Sequence, residues 1–307
     1  MYYFIINPHA SDGKGVKIWQ KVNKYLLRKN RSLAYESFIT EKNGDARDYA
    51  RQLTEKCTEN RVITVIGGDG TLNEVVDGIC LDNDLISIAF IPTSINNDFA
   101  RCFKKRYTLS RQLDRLFTCD EETRLDYGVL SCINGNRRFV VSSGIGFDAA
   151  VFHDLIAERL AGKRRAFHSN HLTYYFSFIK ELFRAKRTRG YVVLDNDTRI
   201  EYNNIIFISV HVHPYECGCK LGPAANGEDG YLDICIVSTK KKSRLIGIML
   251  SSIIGAHQNM TGVHTYRCRS IEIHTAEPLP VHTDGEFCNA AKDLNLSCIP
   301  RKLRIRT

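Results

Sequence analysis

Gly67-Gly68-Asp69-Gly70-Thr71-Leu72-Asn73-Glu74 is the stretch whose residue types and spacing point most directly to chemistry. Glycines let a backbone approach phosphate oxygens closely, and the start of a helix presents N–H groups to an anion. Asp69, inside that loop, is placed to position Mg²⁺ or a reacting hydroxyl. A second candidate is His282-Thr283-Asp284-Gly285-Glu286, two acids flanking a glycine at a strand end or tight turn. An acid beside an acceptor hydroxyl can take its proton as a phosphoryl group is transferred. The turn Asn7-Pro8-His9-Ala10-Ser11-Asp12-Gly13-Lys14-Gly15 adds glycines and a lysine suited to phosphate. His211, His213, Cys217 and Cys219 form an HxH…CxC cluster that could meet Zn²⁺. Its spacing is tighter than that of common structural zinc sites, so unligated side chains are the favoured reading.

These residues need elements to hold them. Tyr2–Ile6, Leu33–Ile39, Arg61–Ile66 and Ser87–Ile91 read as strands, each ending at turn residues. Between them, 16–27, 45–57 (with Asp45 as N-cap) and 71–79 carry helical spacing, and 97–103 and 109–119 follow. That βαβαβαβ order implies a mostly parallel sheet covered by helices. From about residue 124 the pattern becomes mainly antiparallel β. Hairpin signals lie at Asn134-Gly135-Asn136 and Asp195-Asn196-Asp197. Further strands are expected at 231–238, 265–274 and 294–299, with helices at 147–160, 168–185 and 242–257. The expected fold class is α/β followed by β. An α/β domain spans 1–123, with the tail 302–307 as a candidate to complete it, and a β-rich domain spans 124–301.

The chain has 307 residues, 43% hydrophobic and 25% charged, a globular composition that excludes general disorder. Its 43 basic and 34 acidic residues give a net charge of +9, which suits an anionic partner. Nucleic acid is disfavoured, because charge alone supports it. Eleven cysteines without framework spacing read as reduced thiols of a cytoplasmic protein. The N-terminus does not read as a signal peptide. The longest mostly apolar stretch, Leu245 to Gly255, falls short of the ~20 residues that cross a bilayer. Membrane contact is therefore expected to be peripheral. The helical run at 167–183, followed by basic residues, reads as a membrane-contacting segment or a core helix with a basic end. Clusters at 101–106, 163–165 and 240–244 add to the positive surface.

On these motifs the sequence resembles the diacylglycerol kinase catalytic-domain family, in particular its bacterial lipid kinases, and more distantly sphingosine kinases. The resemblance covers essentially the whole chain. It implies an α/β nucleotide-binding domain, a β-sandwich lipid domain, ATP and Mg²⁺ as cofactors, and transfer of phosphate to the hydroxyl of diacylglycerol. A sphingoid base or another glycerolipid as acceptor stays open, as does a binding protein without catalysis. The resemblance places Asn7, Pro8, Ala10, Ser11, Thr40, Gly67, Gly68, Asp69, Gly70, Thr71, Asn73, Glu74, Ile95, Asn97 and Asp98 at the nucleotide. Two departures stand out: Ser11 replaces a family glycine, and Ser94-Ile95 replaces a family Gly-Thr pair. By the same resemblance Glu286 is the proton acceptor, Asp284 its partner and Asp69 a third catalytic acid. Within Gly222–Asp233, Asn226, Asp229 and Tyr231 occupy a Mg²⁺ site, a hard-cation donor set that competes with an Asp-Gly hairpin turn. The segment Ser142–Asp148 also resembles a family segment and reads as structural. The implied partners are a lipid substrate at a membrane surface and anionic phospholipid headgroups. A homodimer is one option for the oligomeric state.

Overall fold

Aromatic and β-branched residues make up Tyr2–Ile6, and this run forms β1 (Tyr2–Ile6), buried from its second residue onward. The computed structural model describes residues 1–29, 33–94, 97–103, 107–119, 121–133, 135–160, 180–182 and 184–306. Contacts divide the chain into two units, Met1–Asp126 with Pro300–Thr307, and Tyr127–Ile299.

In the first unit β1 is followed by α1 (Ala10–Lys29), β2 (Tyr35–Ile39), α2 (Asp45–Thr54), β3 (Arg61–Gly67), α3 (Asp69–Gly78) and β4 (Ile86–Pro92). The short α4 (Asp98–Arg101) and α5 (Leu109–Thr118) follow. β1 pairs in parallel with β2 and β3, and β3 with β4, giving the order β2-β1-β3-β4. The end of the last strand, β13 (Glu286–Arg306), returns here and pairs Ile305 and Arg306 in parallel with Ile88 and Ala89. Phe4, Ile6, Val22, Leu26, Ile66, Ile91 and Leu113 form the core between sheet and helices. Each such side chain contributes about 1.5–3 kcal/mol by leaving water. This packing holds the loops after β1, β3 and β4, where the nucleotide motifs lie.

The second unit runs through β5 (Glu122–Cys132), which begins in the first, β6 (Gly135–Phe139), β7 (Ser142–Gly146), α6 (Phe147–Leu160), β8 (Thr188–Leu194) and β9 (Thr198–His211). It continues through β10 (Leu232–Ser238), α7 (Lys242–Ser252), β11 (Val263–Cys268), β12 (Ser270–Thr283) and β13. The order β11-β10-β9-β7-β12-β13 is antiparallel throughout. Period-two alternation gives β10 two buried faces. Leu232, Ile234 and Ile236 pack into a strand-lined core with Val210, Val281 and Leu294. Cys235 and Val237 face a second core closed by Phe147, Val151, Leu245 and Ile248 of the helices.

Several sequence expectations are corrected. α1 is interrupted near its start, where Ser11, Asp12 and Gly13 take left-handed φ of 50°, 58° and 84°, so its regular part lies beyond Gly13, close to the expected Val16. Asp45 is the first helical residue of α2, not its N-cap, because its carboxylate accepts the Glu41 and Lys42 amides of the approach loop. α3 begins at Asp69, which moves that residue from the loop into the helix's first turn. The strand expected at 265–274 is two strands. Asp195, at φ 50° in the β8–β9 turn, accepts the amides of Arg269 (2.7 Å) and Ser270 (2.9 Å) and breaks the run there. α7 ends at Ser252, five residues before the expected 257. The segment expected as a helix over 168–185, except 180–182 and 184–185, lies outside the described residues. So do Asn134 and the basic residues 104–106 and 163–165. All eleven cysteines are free thiols. No described helix is long and apolar enough to cross a membrane.

Candidate active site

In the first unit, three loops carry the nucleotide motifs. After β1, the Asn7 amide donates to Ile66 O (2.9 Å) and the Ala10 amide to Asn7 O (3.3 Å). Asn7 Nδ2 donates to Thr71 Oγ1 at 3.0 Å, joining this loop to α3. Half-buried Pro8 and buried Ala10 carry the chain to Ser11. Non-glycine residues at positive φ cost about 1–2 kcal/mol each, so strain at Ser11 and Asp12 marks a place where shape matters. Turn backbone of this kind forms an anion-binding concavity. Gly15 is required by contact: a Cβ there would lie 1.9 Å from Asn7 O. Lys14 is exposed. Thr40 is buried, and both its amide (2.9 Å) and hydroxyl (3.3 Å) donate to Ile6 O.

The glycines after β3 divide their labour. A Cβ on Gly67 would stand 2.6 Å from the Thr71 side chain, so Gly67 exists for packing. Gly68 is extended at φ −96°, and a Cβ there would have Asn97 Nδ2 as its nearest neighbour at 3.9 Å. Among the described residues, the space before Gly68 is therefore open, at the N-terminus of a ten-residue helix. Buried Thr71 and Asn73 face inward from α3, while Gly70 and Glu74 are half-buried. Asp69 binds across to the third loop: its Oδ2 accepts the Asp98 amide (2.9 Å) and its Oδ1 the Phe99 amide (3.2 Å). Asn97 Oδ1 accepts the Ser94 amide at 3.1 Å. Hydrogen bonds thus tie Asn7 to Thr71, Ser11 through Thr93 to Gly67, and Asp69 to Asp98. Ile95 lies outside the described residues. Ser11, at the first departure, hydrogen-bonds through its Oγ to Thr93 Oγ1 at 2.9 Å, one residue before Ser94. An open glycine, a left-handed turn and a helix start fit the phosphates of a nucleotide.

In the second unit, Asp284 (φ 47°) and Gly285 (φ 83°) form the two-residue turn between paired Thr283 and Glu286. Asp-Gly at two positive-φ positions is the sequence such a hairpin prefers. Asp284 is engaged by a segment distant in sequence. Its carboxylate accepts the amides of Val140 (2.7 Å), Val141 (2.8 Å) and Ser142 (3.0 Å), and its own amide donates to Ser142 O (2.8 Å). It braces the turn, and half-buried Glu286 stands at the start of β13.

At Asn226, Asp229 and Tyr231, the donors expected for Mg²⁺, protein groups are the partners of Asp229 and of the Asn226 carbonyl. Asp229 Oδ2 is ion-paired with Arg267 Nη2, and its Oδ1 accepts the Tyr231 amide at 3.0 Å. The Asn226 carbonyl accepts the Glu228 (2.8 Å) and Asp229 (3.3 Å) amides. A guanidinium, lying 4.7 Å over the Tyr231 ring, supplies the positive charge there. The HxH…CxC residues do not converge. His213 Nδ1 meets Val140 O (2.6 Å), Cys219 sits in the helix-side core, and His211 contacts Ser209. Burial holds His211 neutral, with its pKa down to about 3.

Sequence reading missed one group. Asp148, Glu216 and His282 are buried together, with ligand atoms within 4.8 Å of one another. The available signal was polarity within apolar surroundings: His282 follows Val281 on a buried strand, and Asp148 closes a segment taken as structural.

Comparison with known proteins follows the same division. Residues 1–129 match the family described as "Diacylglycerol kinase catalytic domain". Residues 140–307 match the "YegS C-terminal NAD kinase beta sandwich-like domain". The "Putative lipid kinase YtlR" of Bacillus subtilis (strain 168) is 30% identical, over 100% of this chain and 99% of that one. A "Diacylglycerol kinase" of Staphylococcus saprophyticus is 26% identical, over 92% of this chain and 88% of its own. In fold, the chain is similar to a crystal structure titled as a putative diacylglycerol kinase from Bacillus anthracis str. Sterne. The TM-score is 0.77 at 21% identity, covering 99% of this chain and 94% of that one.

Proposed function

Because the chain belongs to the diacylglycerol kinase catalytic-domain family, and so is a lipid-kinase-like phosphotransferase acting on an alcohol, we propose that it phosphorylates the hydroxyl of diacylglycerol to give phosphatidic acid. The observation that carries this reading is the phosphate seat at Gly68, at the N-terminus of α3. ATP with Mg²⁺ supplies the γ-phosphoryl group. The Ser11–Gly13 turn, Gly68 and the first turn of α3 hold the phosphates by backbone N–H groups. Asn7, Asp69 and Asn97 keep those loops in register by the bonds already described. Glu286 accepts the acceptor hydroxyl's proton as that oxygen bonds the γ-phosphorus and the bond from the γ-phosphorus to the β–γ bridging oxygen breaks; ADP leaves and the proton ends on the Glu286 carboxylate.

A membrane-borne acceptor requires a surface that meets lipid. Along α7 and just beyond it, Ile246, Leu250, Ile253 and Ile254 are exposed, at 40, 57, 40 and 78%. Exposed Lys240, Lys241 and Lys242 precede them. An apolar face beside lysines suits an interfacial helix on anionic phospholipid.

The test is transfer of labelled phosphate from γ-labelled ATP in mixed micelles containing diacylglycerol. Labelled phosphatidic acid from wild type is the expected result. Transfer to a sphingoid base or another glycerolipid, with none to diacylglycerol, would replace the acceptor. Binding of ATP without transfer to any of them would defeat the kinase reading. Leu250→Asp with Ile254→Asp is expected to weaken sedimentation with phosphatidylglycerol vesicles about tenfold or more, by removing apolar contact and adding negative charge. Unchanged sedimentation would move the contact elsewhere.

A further inference from the structure

In the second unit, Ser209 on β9, Gly144 on β7 and His282 on β12 stand side by side in register across three strands. Gly144 has no side chain, and the space above it is where other groups converge. A Cβ built on Gly144 would lie 2.3 Å from Asp148 Oδ2 and 2.7 Å from His282 Nε2. Asp148, from the start of α6, and Glu216, from the loop after β9, close the space from above. All are buried, at 1% for Asp148, 3% for Glu216 and 0% for His282.

Two buried carboxylates side by side call for a positive charge between them. Asp148 Oδ2 and Glu216 Oε1 are buried atoms with no hydrogen-bond partner. Their sister oxygens are held: Asp148 Oδ1 accepts the Ala149 amide (2.7 Å) and Glu216 Oε2 the Ser209 hydroxyl (3.1 Å). Such outer bonds orient ligands toward a metal. His282 Nε2 stands 3.6 Å from both Asp148 Oδ2 and Glu216 Oε1. Charge-assisted N–H···O bonds close to about 2.7–2.9 Å, so an imidazolium shared by the two acids would draw them nearer. Ligand atoms on tetrahedral bonds of about 2.0–2.2 Å stand roughly 3.3–3.6 Å apart, and both distances from His282 Nε2 are 3.6 Å, with all three ligand atoms within 4.8 Å of one another.

We propose that Asp148 Oδ2, Glu216 Oε1 and His282 Nε2 form a buried site for one first-row divalent cation of the zinc or manganese type. Two carboxylates match the +2 charge, and an imidazole beside them favours such a metal over Mg²⁺. Coordination through Nε2 puts the ring proton on Nδ1, which now faces the Gly285 amide at 3.4 Å, the long limit of a hydrogen bond. The cation displaces that contact, so loading is felt in the Asp284-Gly285 turn. This site is independent of the Asp229 turn and of the acceptor's identity.

The test uses the full chain, first assayed for metal as purified and then stripped with EDTA and titrated with Co²⁺ alone. Eleven free thiols are present, so the spectrum must distinguish oxygen and nitrogen ligands from sulfur. The expected result is one equivalent of Co²⁺ with visible d–d absorption, no thiolate-to-cobalt charge-transfer band, and a raised melting temperature. Glu216→Gln and His282→Gln, checked for native far-ultraviolet circular dichroism, should each bind Co²⁺ at least tenfold more weakly. Wild type that holds no metal as purified and takes up no Co²⁺ overturns the proposal whatever the variants do. So does uptake with a thiolate band alone, or equal uptake by wild type and a folded variant.

Discussion

Asp69 in the first unit and Asp284 in the second stand in motifs that read as catalytic, and both commit their carboxylates to backbone amides of a distant segment. Asp69 receives Asp98 and Phe99, whereas Asp284 receives Val140, Val141 and Ser142. The difference lies in what each brace leaves exposed. Beside Asp69 it leaves backbone, the open approach at Gly68, which suits a ligand that carries its own charge. Beside Asp284 it leaves a second acid, Glu286, which suits a ligand that must lose a proton. Glycine spacing in the first motif thus builds a seat, and in the second it turns a hairpin.

The sharpest way to break this comparison is to exchange the roles assigned to the two acids of the second motif. Glu286→Gln is expected to lower phosphate transfer by about 10²–10⁴-fold with melting temperature unchanged, as loss of a general base would. Asp284→Asn should act through stability. Asparagine replaces one acceptor oxygen with a donor that faces an amide, a loss of about 2–4 kcal/mol. That corresponds to a melting temperature lower by about 5–10 °C. Equal transfer by Glu286→Gln and wild type, or an Asp284→Asn protein as stable as wild type but inactive, would reverse the assignment.

A smaller effect separates the two glycines of the first motif. Gly67→Ala places a Cβ 2.6 Å from Thr71 and is expected to cost about 1–3 kcal/mol as overpacking does, seen in urea unfolding. Among the described residues Gly68→Ala meets nothing nearer than 3.9 Å, so stability should hold within about 0.5 kcal/mol. Its methyl enters the phosphate space, and KM for ATP is expected to rise about tenfold. If Gly68→Ala instead unfolds the protein with KM unchanged, the open seat is not where phosphate binds.

Much of this was legible in the residues, because the signals were local. β1 coincides with the apolar run Tyr2–Ile6, and the turns at Asp195-Asn196 and Asp284-Gly285 adopt the positive φ their residues favour. What was not legible depends on partners far away in sequence. Asp284 is 144 residues from Val140. Ser11, which replaces a family glycine, finds its hydroxyl partner 82 residues on, at Thr93. Asp229 pairs with Arg267 across the sheet, and nothing near Asp229 in sequence announces that guanidinium. The Asp148–Glu216–His282 group is the extreme case, since only the strand register around Gly144 brings its three segments together.

The smallest expected effect tests amide bracing against its opposite. Asp233, mostly buried on β10, has an Oδ2 with no hydrogen-bond partner, and burial pushes its pKa from 3.8 up to about 6 against the pull of Arg267. Its folded pKa therefore lies above its unfolded one, so between about pH 4 and pH 6 the folded chain holds a proton that the unfolded chain has released. Stability contributed at this position must fall as pH rises through that window, the reverse of an acid held by amides. Asp233→Asn cannot ionise. Relative to wild type its melting temperature should match near pH 4, climb through the window, and stay higher by a constant margin above pH 6. A difference that is flat across pH, or of opposite sign, would mean that Arg267 compensates Asp233 as fully as the amides compensate Asp284.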